Sequence, residues 1–539
     1  MPIGSPLTVS AAFDRVTRMF PEYEAAVDSV SRLTFGELDE ASRRCVGLLR
    51  AEGVVPGMRV ALLTVPSTVH LVAWLAVVRL GAVPVVFHTR EAAPLLARLC
   101  NKFGIEIVLH DASLGSAVSA IAQECTGPLT RISLRSGAAG SAAAPESDVE
   151  IPRDLPRFVP AKDLPVPAED DVAAIIFSSG TTSLPKGVVH SHRGVLEAAR
   201  TALGMYPGLR PGRRVIAPFG TAFTGWYATC MPFLNAGACC VFLEKFELPE
   251  FLATIQRERI THMTLPPTMW RELLSLDSDP NTYASVVQAG FAAEPMDSTT
   301  LRRIRDTVTP NVVQAYGSTE TFGLVTVNIA DDMEGGRLNS VGRPFPDTEV
   351  RIVREGGAAD DVVPVGEVGE VMATSPCVAE GIWGDEVMTA KLFHVDEDGR
   401  RWWRSGDLGR LDRDGFLFLE GRSDDMIISG GINIMPAVVE EVLLGHPSVV
   451  ETAVVGLPHP KWGQQVHAFV VTADSSLTEE ALARYVSGSK LSGYQRPREF
   501  HLVSSLPRTA TNKLNRRVLR QMEAPDQKQK VESDPVGLG

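Results

Sequence analysis

The chain has 539 residues, of which 44% are hydrophobic, 22% charged and 6% aromatic, which is typical of a globular protein with two or more domains. The formal net charge of −13 argues against a general nucleic-acid binder, because a phosphate backbone is bound by a basic face. The seven cysteines are odd in number and contain no C-x-x-C pair, which favours free thiols in a reducing compartment over a disulfide framework or a zinc ribbon.

The first ten residues lack a positive segment followed by an apolar one, so no secretory signal is expected. The most apolar stretch, residues 69–87, is interrupted by His70, Arg79, Gly81 and Pro84. This pattern predicts a buried helix that runs into a strand rather than a membrane span. We therefore expect a soluble, cytoplasmic protein.

Helical and strand-like patterns alternate from about Leu33 to Pro267, for example a helix over Phe35–Ala51 followed by a strand over 59–64. Such alternation indicates layered α/β structure with largely parallel strands. Residues 136–171 are rich in Ala, Ser, Pro and Gly without periodicity, so we expect a surface excursion there and not a domain boundary.

From Val341 onward the pattern becomes short and β-rich, with strands predicted over 366–371 and 415–422. A second unit is predicted to begin near residue 424. Its predicted elements are a helix over 436–444, strands over 452–457 and 466–472, and a helix over 478–489. The polar residues from about Glu523 onward are expected to fray.

One turn is dense in small and hydroxyl residues. An apolar strand over 175–177 runs into Ser178, Ser179, Gly180, Thr181 and Thr182, and Lys186 follows. Backbone N–H groups and hydroxyls in such a turn can converge on phosphate oxygens, with the lysine as a further charge. The order is not G-x-x-x-x-G-K-[ST], which counts against a P-loop kinase or GTPase. Taken alone, the turn is also compatible with an ordinary Ser/Thr-Gly surface loop. His190 and His192, just after this turn, are expected to start a helix rather than to bind a metal.

Four further motifs follow in order. They are Gln-Ala-Tyr-Gly-Ser-Thr-Glu (314–320), Trp-Arg-Ser-Gly-Asp (403–407), Gly-Arg-Ser-Asp-Asp-Met-Ile-Ile-Ser-Gly-Gly-Ile-Asn-Ile (421–434) and Pro-Arg-Thr-Ala-Thr-Asn-Lys (507–513). This series resembles the adenylate-forming superfamily, which contains the acyl- and aryl-CoA synthetases, adenylation domains and firefly luciferase. The match runs from about Leu33 to Leu519.

The resemblance implies a fold of the α/β class with two domains. The N-terminal domain, residues 1–423, would contain layered α/β subdomains and a β-rich subdomain, with the acid and ATP sites. The C-terminal domain, residues 424–522, would be a small, mobile α+β lid joined at a hinge at Asp424. Residues 523–539 would form a disordered tail.

The resemblance also implies a role for each motif residue. Ser178, Ser179, Gly180, Thr181, Thr182 and Lys186 match the loop that holds the ATP phosphates. Tyr316 resembles the residue that stacks on adenine, with Gly317 beside it, Thr319 a phosphate contact and Glu320 the Mg²⁺ ligand. Asp407 and Arg422 resemble the pair that binds the ribose hydroxyls, and Lys513 the catalytic lysine of the small domain. Lys513, Glu320 and Thr182 are thus the expected catalytic residues.

The run Asp-Asp-Met-Ile-Ile-Ser-Gly-Gly (424–431), the triplet Trp-Gly-Gln (462–464) and the pair Asn-Lys (512–513) resemble the aryl-CoA ligase branch, which includes 4-chlorobenzoate–CoA ligase. That likeness implies that Trp462, Tyr494 and Arg498 bind CoA. The expected acid site mixes aromatic with small residues, which fits an aromatic or medium-sized apolar acid; it comprises Phe223, Thr224, Trp226, Phe291, Ala292, Gly317, Phe322 and Gly323. The chain departs from the family pattern in Ile432 for a frequent Glu, in the lack of a His within 218–226, and in Ala293 for a frequent Gly.

We therefore expect an ATP-dependent carboxylic acid–CoA ligase that forms an acyl adenylate and then a thioester, with ATP, Mg²⁺ and coenzyme A as cofactors. Two alternatives are left open: a standalone adenylation enzyme that loads a carrier-protein thiol, and an AMP-binding pseudoenzyme. The expected partners are the small-molecule acid, ATP and CoA, with no nucleic acid and no membrane span. A homodimer is left open.

Overall fold

The computed structural model describes residues 6–136, 148–151, 155, 158–178, 184–276, 279–292, 294, 296–333, 337–474, 476–508 and 514–522. The helices in this part of the chain are α1 (Val9–Met19), α2 (Phe35–Ala51), α3 (Thr68–Arg79), α4 (Ala93–Phe103), α5 (Gly115–Glu124), α6 (His192–Ala202), α7 (Thr224–Asn235), α8 (Leu248–Arg257), α9 (Pro267–Ser275), α10 (Ser298–Thr307), α11 (Ala330–Asp332), α12 (Glu386–Leu392), α13 (Pro436–Leu444), α14 (Glu479–Ser487) and α15 (Arg516–Met522).

The strands of the first half are β1 (Glu24–Val27), β2 (Arg32–Thr34), β3 (Arg59–Leu63), β4 (Val83–Val86), β5 (Ile107–Asp111), β6 (Thr130–Ser136), β7 (Asp148–Ile151), β8 (Val172–Ser178), β9 (Lys186–Ser191), β10 (Arg214–Ala217), β11 (Cys239–Phe242), β12 (His262–Leu265) and β13 (Gln288–Ala292). Those of the second half are β14 (Val312–Tyr316), β15 (Thr326–Ile329), β16 (Ser340–Pro344), β17 (Glu349–Val353), β18 (Gly369–Thr374), β19 (Gly381–Ile382), β20 (Phe393–Val395), β21 (Arg401–Leu411), β22 (Leu417–Arg422), β23 (Ile427–Ser429), β24 (Ile432–Ile434), β25 (Val449–His459), β26 (Gly463–Thr472) and β27 (Glu499–Leu502).

Two large sheets form the bulk of the described chain. The first has the order β19-β9-β8-β4-β3-β5-β6-β7, and its strands from β8 to β7 pair in parallel. The second has the order β17-β18-β21-β22-β16-β15-β14-β13-β12-β10-β11-β1-β2, with β20 beside β21. It is parallel from β1 to β14 and antiparallel from β14 to β17. The predicted α/β layering followed by a β-rich region is therefore confirmed.

The helices between the sheets are amphipathic or wholly buried. The N-terminus of α2 is fixed by a capping box, in which the Thr34 hydroxyl accepts from the Glu37 N–H and the Glu37 carboxylate accepts from the Thr34 N–H, which satisfies two otherwise unpaired donors. Every residue of α3 is buried, because this helix lies in the main hydrophobic core. Its one charged side chain, Arg79, is compensated by ion pairs to Asp14 and Asp39.

A third, smaller sheet is formed by the strands that follow β22 in the sequence. Its order is β24-β23-β26-β25, and β27 pairs in parallel with β26. Helices α13 and α14 pack on one face through an apolar cluster that contains Val439, Leu443 and Leu482. Strand β22 belongs to the second sheet and β23 to the third, so the chain passes between them over residues 423–426.

Three details differ from the sequence predictions. The strand predicted over 366–371 begins at Gly369, because Gly366 has a φ of +90° and forms a turn. Strand β7 lies inside the stretch predicted as an irregular excursion, where it pairs in parallel with β6. His190, predicted to lie at a helix start, is instead in β9, and α6 begins at His192. In the described part of the chain, helices with the length and apolarity of a membrane span are absent.

Four buried histidines predict acid instability. Burial lowers the pKa of His70 and His190 to about 3, and of His192 and His262 to about 4. Below a pH of about 6.5, the ordinary pKa of histidine, these four histidines are protonated in the unfolded chain but stay neutral in the folded chain. The free energy of unfolding should therefore fall between about pH 6.5 and 4, by at most about 5 kcal/mol per pH unit for four protons. Urea-unfolding midpoints at pH 7, 6 and 5 measure this loss, and equal midpoints would contradict it.

Candidate active site

Three strand ends bring the predicted site residues together. Tyr316 ends β14, Ala292 ends the neighbouring parallel β13, and Ser178 ends β8 of the other sheet. Ligands in α/β proteins bind beyond the carboxyl ends of parallel strands. After Tyr316 the chain turns so tightly that a Cβ on Gly317 would lie 2.5 Å from the carbonyl carbon of Gly323. Only glycine at position 317 allows this close backbone approach.

The tight turn presents a buried carboxylate. Thr319–Thr321 form a single 3-10 turn, and the Glu320 side chain accepts a hydrogen bond from the Ser318 hydroxyl, while its Oε1 lies 3.5 Å from Ser178 Oγ. Glu320 is 8% exposed, and no ion pair joins it to a described lysine or arginine. A buried carboxylate is costly without a positive partner, and Mg²⁺ prefers such oxygen ligands. The residues present therefore fit a magnesium site.

His190 contacts the turn that carries Glu320, and the sequence did not predict this contact. Its Nε2 lies 3.0 Å from the carbonyl oxygen of Thr319, and its ring packs against Phe322 at a centroid distance of 3.9 Å. Because burial lowers the pKa of His190 to about 3, the ring is neutral at physiological pH and Nε2–H donates to that oxygen. Phe322 has a φ of +54°, a backbone conformation that a bulky residue adopts only when its surroundings enforce it.

The two ends of the predicted phosphate loop lie side by side. Ser178 and Lys186 are register partners in the antiparallel β8–β9 pair, so the loop between them starts and ends at the same place. Ser178 also contacts Glu320, which puts this place beside the buried carboxylate. Ser179, Gly180, Thr181 and Thr182 lie outside the described residues.

The predicted adenine and ribose residues form one hydrogen-bonded network. The Tyr316 hydroxyl donates to Asp407 Oδ2 at 2.6 Å, and Arg422 Nη1 lies 3.2 Å from Asp407 Oδ1. Burial and the Asp407 charge raise the pKa of Tyr316 well above its usual value, so the phenol stays protonated as the donor. A carboxylate has about four lone-pair positions, and Asp407 can therefore still accept from a ligand hydroxyl.

The predicted acid-site residues divide into two groups. Thr224, at the start of α7, donates from its Oγ1 to Thr319 Oγ1 at 3.1 Å, and Phe322 and Gly323 follow the Glu320 turn. Phe223 packs against His88 at a ring-centroid distance of 5.0 Å, so His88 is a neighbour that the motif search missed.

The other group is enclosed by the core. Trp226 is fully buried against His70, Trp74 and Tyr227. Phe291 is 1% exposed within a second apolar cluster, and Ala292 after it is partly exposed. For Trp226 and Phe291 the role in acid binding stays a prediction.

The small domain approaches this site at Arg508. Arg508 Nη1 lies 3.8 Å from Glu294 Oε1, two residues beyond the end of β13. Arg508 also pairs with Leu514 in an antiparallel bridge. The two described residues that flank the 509–513 segment therefore lie side by side, next to Glu294. Lys513 itself lies outside the described residues.

The predicted CoA residues lie on the surface. Trp462 is 44% and Tyr494 46% exposed, and Arg498 is exposed, with its Nη2 donating to the Gly493 carbonyl at 3.3 Å. The Trp462 ring covers Gly430, whose N–H donates to the Trp462 carbonyl at 2.7 Å. No described contact joins these three residues to the Glu320 turn, so their role stays a prediction.

The arrangement defines a class of enzyme: a nucleotide site built on the strand ends of a large α/β body and approached by a small α+β unit. Family models agree with it. Residues 13–383 match the model of the AMP-binding enzyme and residues 438–513 that of the AMP-binding enzyme C-terminal domain. The chain belongs to the AMP-binding enzyme family.

Curated relatives extend over nearly the whole chain. A feruloyl-CoA synthase of Amycolatopsis sp. is 31% identical over 508 residues, covering 93% of this chain and 96% of the relative. A 3-hydroxybenzoate–CoA ligase of Aromatoleum sp. (strain CIB) is 30% identical over 527 residues, covering 96% and 95%. The prediction of an adenylate-forming enzyme, an AMP-forming acid–thiol ligase, is confirmed.

Solved structures agree on the fold. ATP-bound MatB from Rhodopseudomonas palustris has a TM-score of 0.85 at 26% identity, covering 97% of this chain and 100% of that one. The apo structure of MatB has a TM-score of 0.75 at the same identity and coverage. The present chain therefore superposes more closely on the ATP-bound structure than on the apo structure.

Proposed function

We propose that this enzyme activates an aromatic or medium-sized apolar carboxylic acid with ATP and transfers the acyl group to coenzyme A. The observation that carries the proposal is the convergence at one edge of the buried Glu320, the Tyr316–Asp407–Arg422 network and the two ends of the phosphate loop. The aryl-CoA ligases among the relatives support the choice of acid.

In the first half-reaction the acid carboxylate attacks the α-phosphate of ATP and pyrophosphate leaves. A carboxylic acid is already ionised at neutral pH, with a pKa near 4, so the step needs no general base. It needs alignment and neutralisation of negative charge. We assign the phosphates to residues 178–182, Thr319 and Lys186, adenine to Tyr316 beside Gly317, and the ribose to Asp407 and Arg422.

We assign the remaining charge to Glu320 and Lys513. Glu320 would hold Mg²⁺, which supplies positive charge to the phosphate oxygens when bound. Lys513 would bridge the acid oxygen and the α-phosphate, since an ammonium is a compact cation with three donors. In support of that placement, Arg508 and Leu514 on either side of the lysine segment lie at the edge that carries Glu294.

In the second half-reaction the CoA thiol attacks the acyl carbonyl and AMP leaves. We propose that the small domain, residues 424–522, rotates against residues 1–423 between the two steps, because Lys513 and an incoming thiol need the same edge. Rotation at a few residues is a common mode of domain rearrangement.

The contacts around Asp424 support it as the hinge. Ser423 Oγ donates to the Gly406 carbonyl at 3.1 Å, which holds residue 423 to the large domain. On the other side, Asp425 accepts from Arg520 at 2.9 Å and Arg516 at 3.4 Å, both in α15 of the small domain. Asp424 between them is exposed. A backbone rotation at this residue would leave both sets of contacts intact.

Acid specificity tests the proposal directly. Purified enzyme with ATP and Mg²⁺ is given hydroxycinnamic, hydroxybenzoic, medium-chain and long-chain acids, and pyrophosphate release is measured. We expect the highest kcat/KM for an aromatic or medium-sized acid, with AMP and acyl-CoA formed in equal amounts once CoA is added. A preference for long-chain acids would refute the substrate class. The absence of AMP formation with every acid would refute the function.

Replacing Trp462 by Ala tests the CoA site. We expect the KM for CoA to rise about tenfold, as the loss of one aromatic contact predicts, while pyrophosphate release without CoA is unchanged. Tyr23→Ala, which removes an aromatic ring of similar exposure in the large domain, is the control. If both variants keep the wild-type KM for CoA, Trp462 is not part of the thiol site.

Location and oligomeric state stay predictions. The seven cysteines are free thiols, which supports a reducing, cytoplasmic location. Light scattering of the purified protein distinguishes a monomer from a homodimer.

A further inference from the structure

A cluster of two imidazoles and one carboxylate lies on the small sheet, apart from the nucleotide site. His467 of β26 is the register partner of Glu499 of β27, and Phe469 is that of His501. Side chains two residues apart on a strand share a face, so His467, Glu499 and His501 all project from one side of two adjacent parallel strands.

The ligand atoms of these three side chains converge. His467 Nδ1 lies 3.1 Å from His501 Nε2 and 3.7 Å from Glu499 Oε2, and one ligand atom of each residue lies within 4.8 Å of the others. Two imidazoles with one carboxylate and an open fourth position form a common donor set for Zn²⁺. Imidazole also suits Co²⁺ and Ni²⁺ but not Mg²⁺, which prefers oxygen ligands.

The surroundings fix these side chains as a metal site requires. Gln465 Nε2 donates to Glu499 Oε1 at 3.1 Å, so this amide orients the carboxylate. The Phe469 ring stacks on His501 at a centroid distance of 4.5 Å and an angle of 25°. Such outer contacts set the orientation of ligating groups.

One side of the cluster is buried and the other is exposed, as a metal site that exchanges its ion with solvent requires. The His467 side chain is 7% exposed, whereas that of Glu499 is 55% exposed. The cluster thus has a packed floor and a side open to solvent, through which an ion can enter.

We propose that His467, Glu499 and His501 bind one divalent transition-metal ion, Zn²⁺ or Co²⁺, that ties β27 to β26. Strand β27 leads directly to Arg508 and the segment that contains Lys513. The bound ion would therefore stabilise the part of the small domain from which the proposed catalytic lysine is presented. Because the ligands are imidazoles, this site would be distinct in its metal preference from the magnesium site at Glu320.

Co²⁺ binding to the full-length, EDTA-treated protein tests the proposal. Without ATP, acid or CoA, we expect one Co²⁺ per chain by calorimetry, the visible bands of low-coordinate Co²⁺, and a higher unfolding temperature. Excess Mg²⁺ should not displace the ion. His501→Ala and Glu499→Gln should weaken binding by more than about tenfold, and Gln465→Ala by about tenfold.

Controls separate this site from others. His394→Ala, in β20 of the second sheet, should leave Co²⁺ affinity unchanged, as should Glu320→Gln. Circular dichroism of each metal-free variant checks folding. Wild-type protein that binds no Co²⁺ or Zn²⁺, or a His501→Ala variant that keeps wild-type affinity and spectrum, overturns the proposal. Neither result affects the ligase function, which is measured separately as pyrophosphate release.

Discussion

Lys513→Ala should cripple adenylate formation and leave thioester formation from a supplied acyl adenylate largely intact. Removing one charged group that stabilises a transition state costs roughly 10²–10³-fold in kcat. The acyl adenylate has already lost pyrophosphate, so its reaction with CoA no longer needs the cation at the α-phosphate. Pyrophosphate release measures the first step, and acyl-CoA formation from synthetic acyl adenylate measures the second.

Lys490→Ala is the matched control, because Lys490 is a lysine of the same domain whose Nζ pairs with Glu441 at 3.1 Å on the surface. It should retain both half-reactions. If Lys513→Ala slows both steps equally, the lysine acts on something shared by them, such as domain stability, and the assigned role is wrong. The split between the steps therefore tests the role of Lys513.

Local elements were largely predictable because their patterns are local. The capping residues Thr34 and Glu37 mark the start of α2, and its apolar spacing marks its length, so the predicted and observed helices agree over Phe35–Ala51. The helix over Pro436–Leu444 agrees as well. Strand β7 was missed because the composition of residues 148–151 does not indicate their parallel pairing with β6.

The site was predictable as a set of residues but not as a set of contacts. The motifs identified Tyr316 and Asp407 separately, yet the hydrogen bond between them joins residues 91 positions apart. The ion pair of Arg508 with Glu294 likewise depends on how the small sheet sits against the large one. His190 follows two valines in an apolar strand, and only the fold reveals that its Nε2 meets the Thr319 carbonyl.

Glu320→Gln should lower adenylate formation by roughly 10²-fold or more at fixed Mg²⁺. The amide keeps the size of the side chain and can still accept from the Ser318 hydroxyl, but it loses the negative charge that a magnesium ion requires. The dependence of the rate on Mg²⁺ concentration should move to higher Mg²⁺ in the variant. Pyrophosphate release across a Mg²⁺ titration at saturating ATP measures both effects.

Ser178→Ala is the comparison, because it removes the 3.5 Å contact to Glu320 Oε1 and one proposed phosphate contact but leaves the carboxylate in place. It should keep the wild-type dependence on Mg²⁺ concentration, since the negative charge of Glu320 is retained. A Glu320→Gln enzyme with wild-type activity and an unchanged Mg²⁺ dependence would remove Glu320 from the metal site. Its burial would then need another explanation, because a carboxylate held at 8% exposure without an ion pair to a described lysine or arginine is costly unless a cation reaches it.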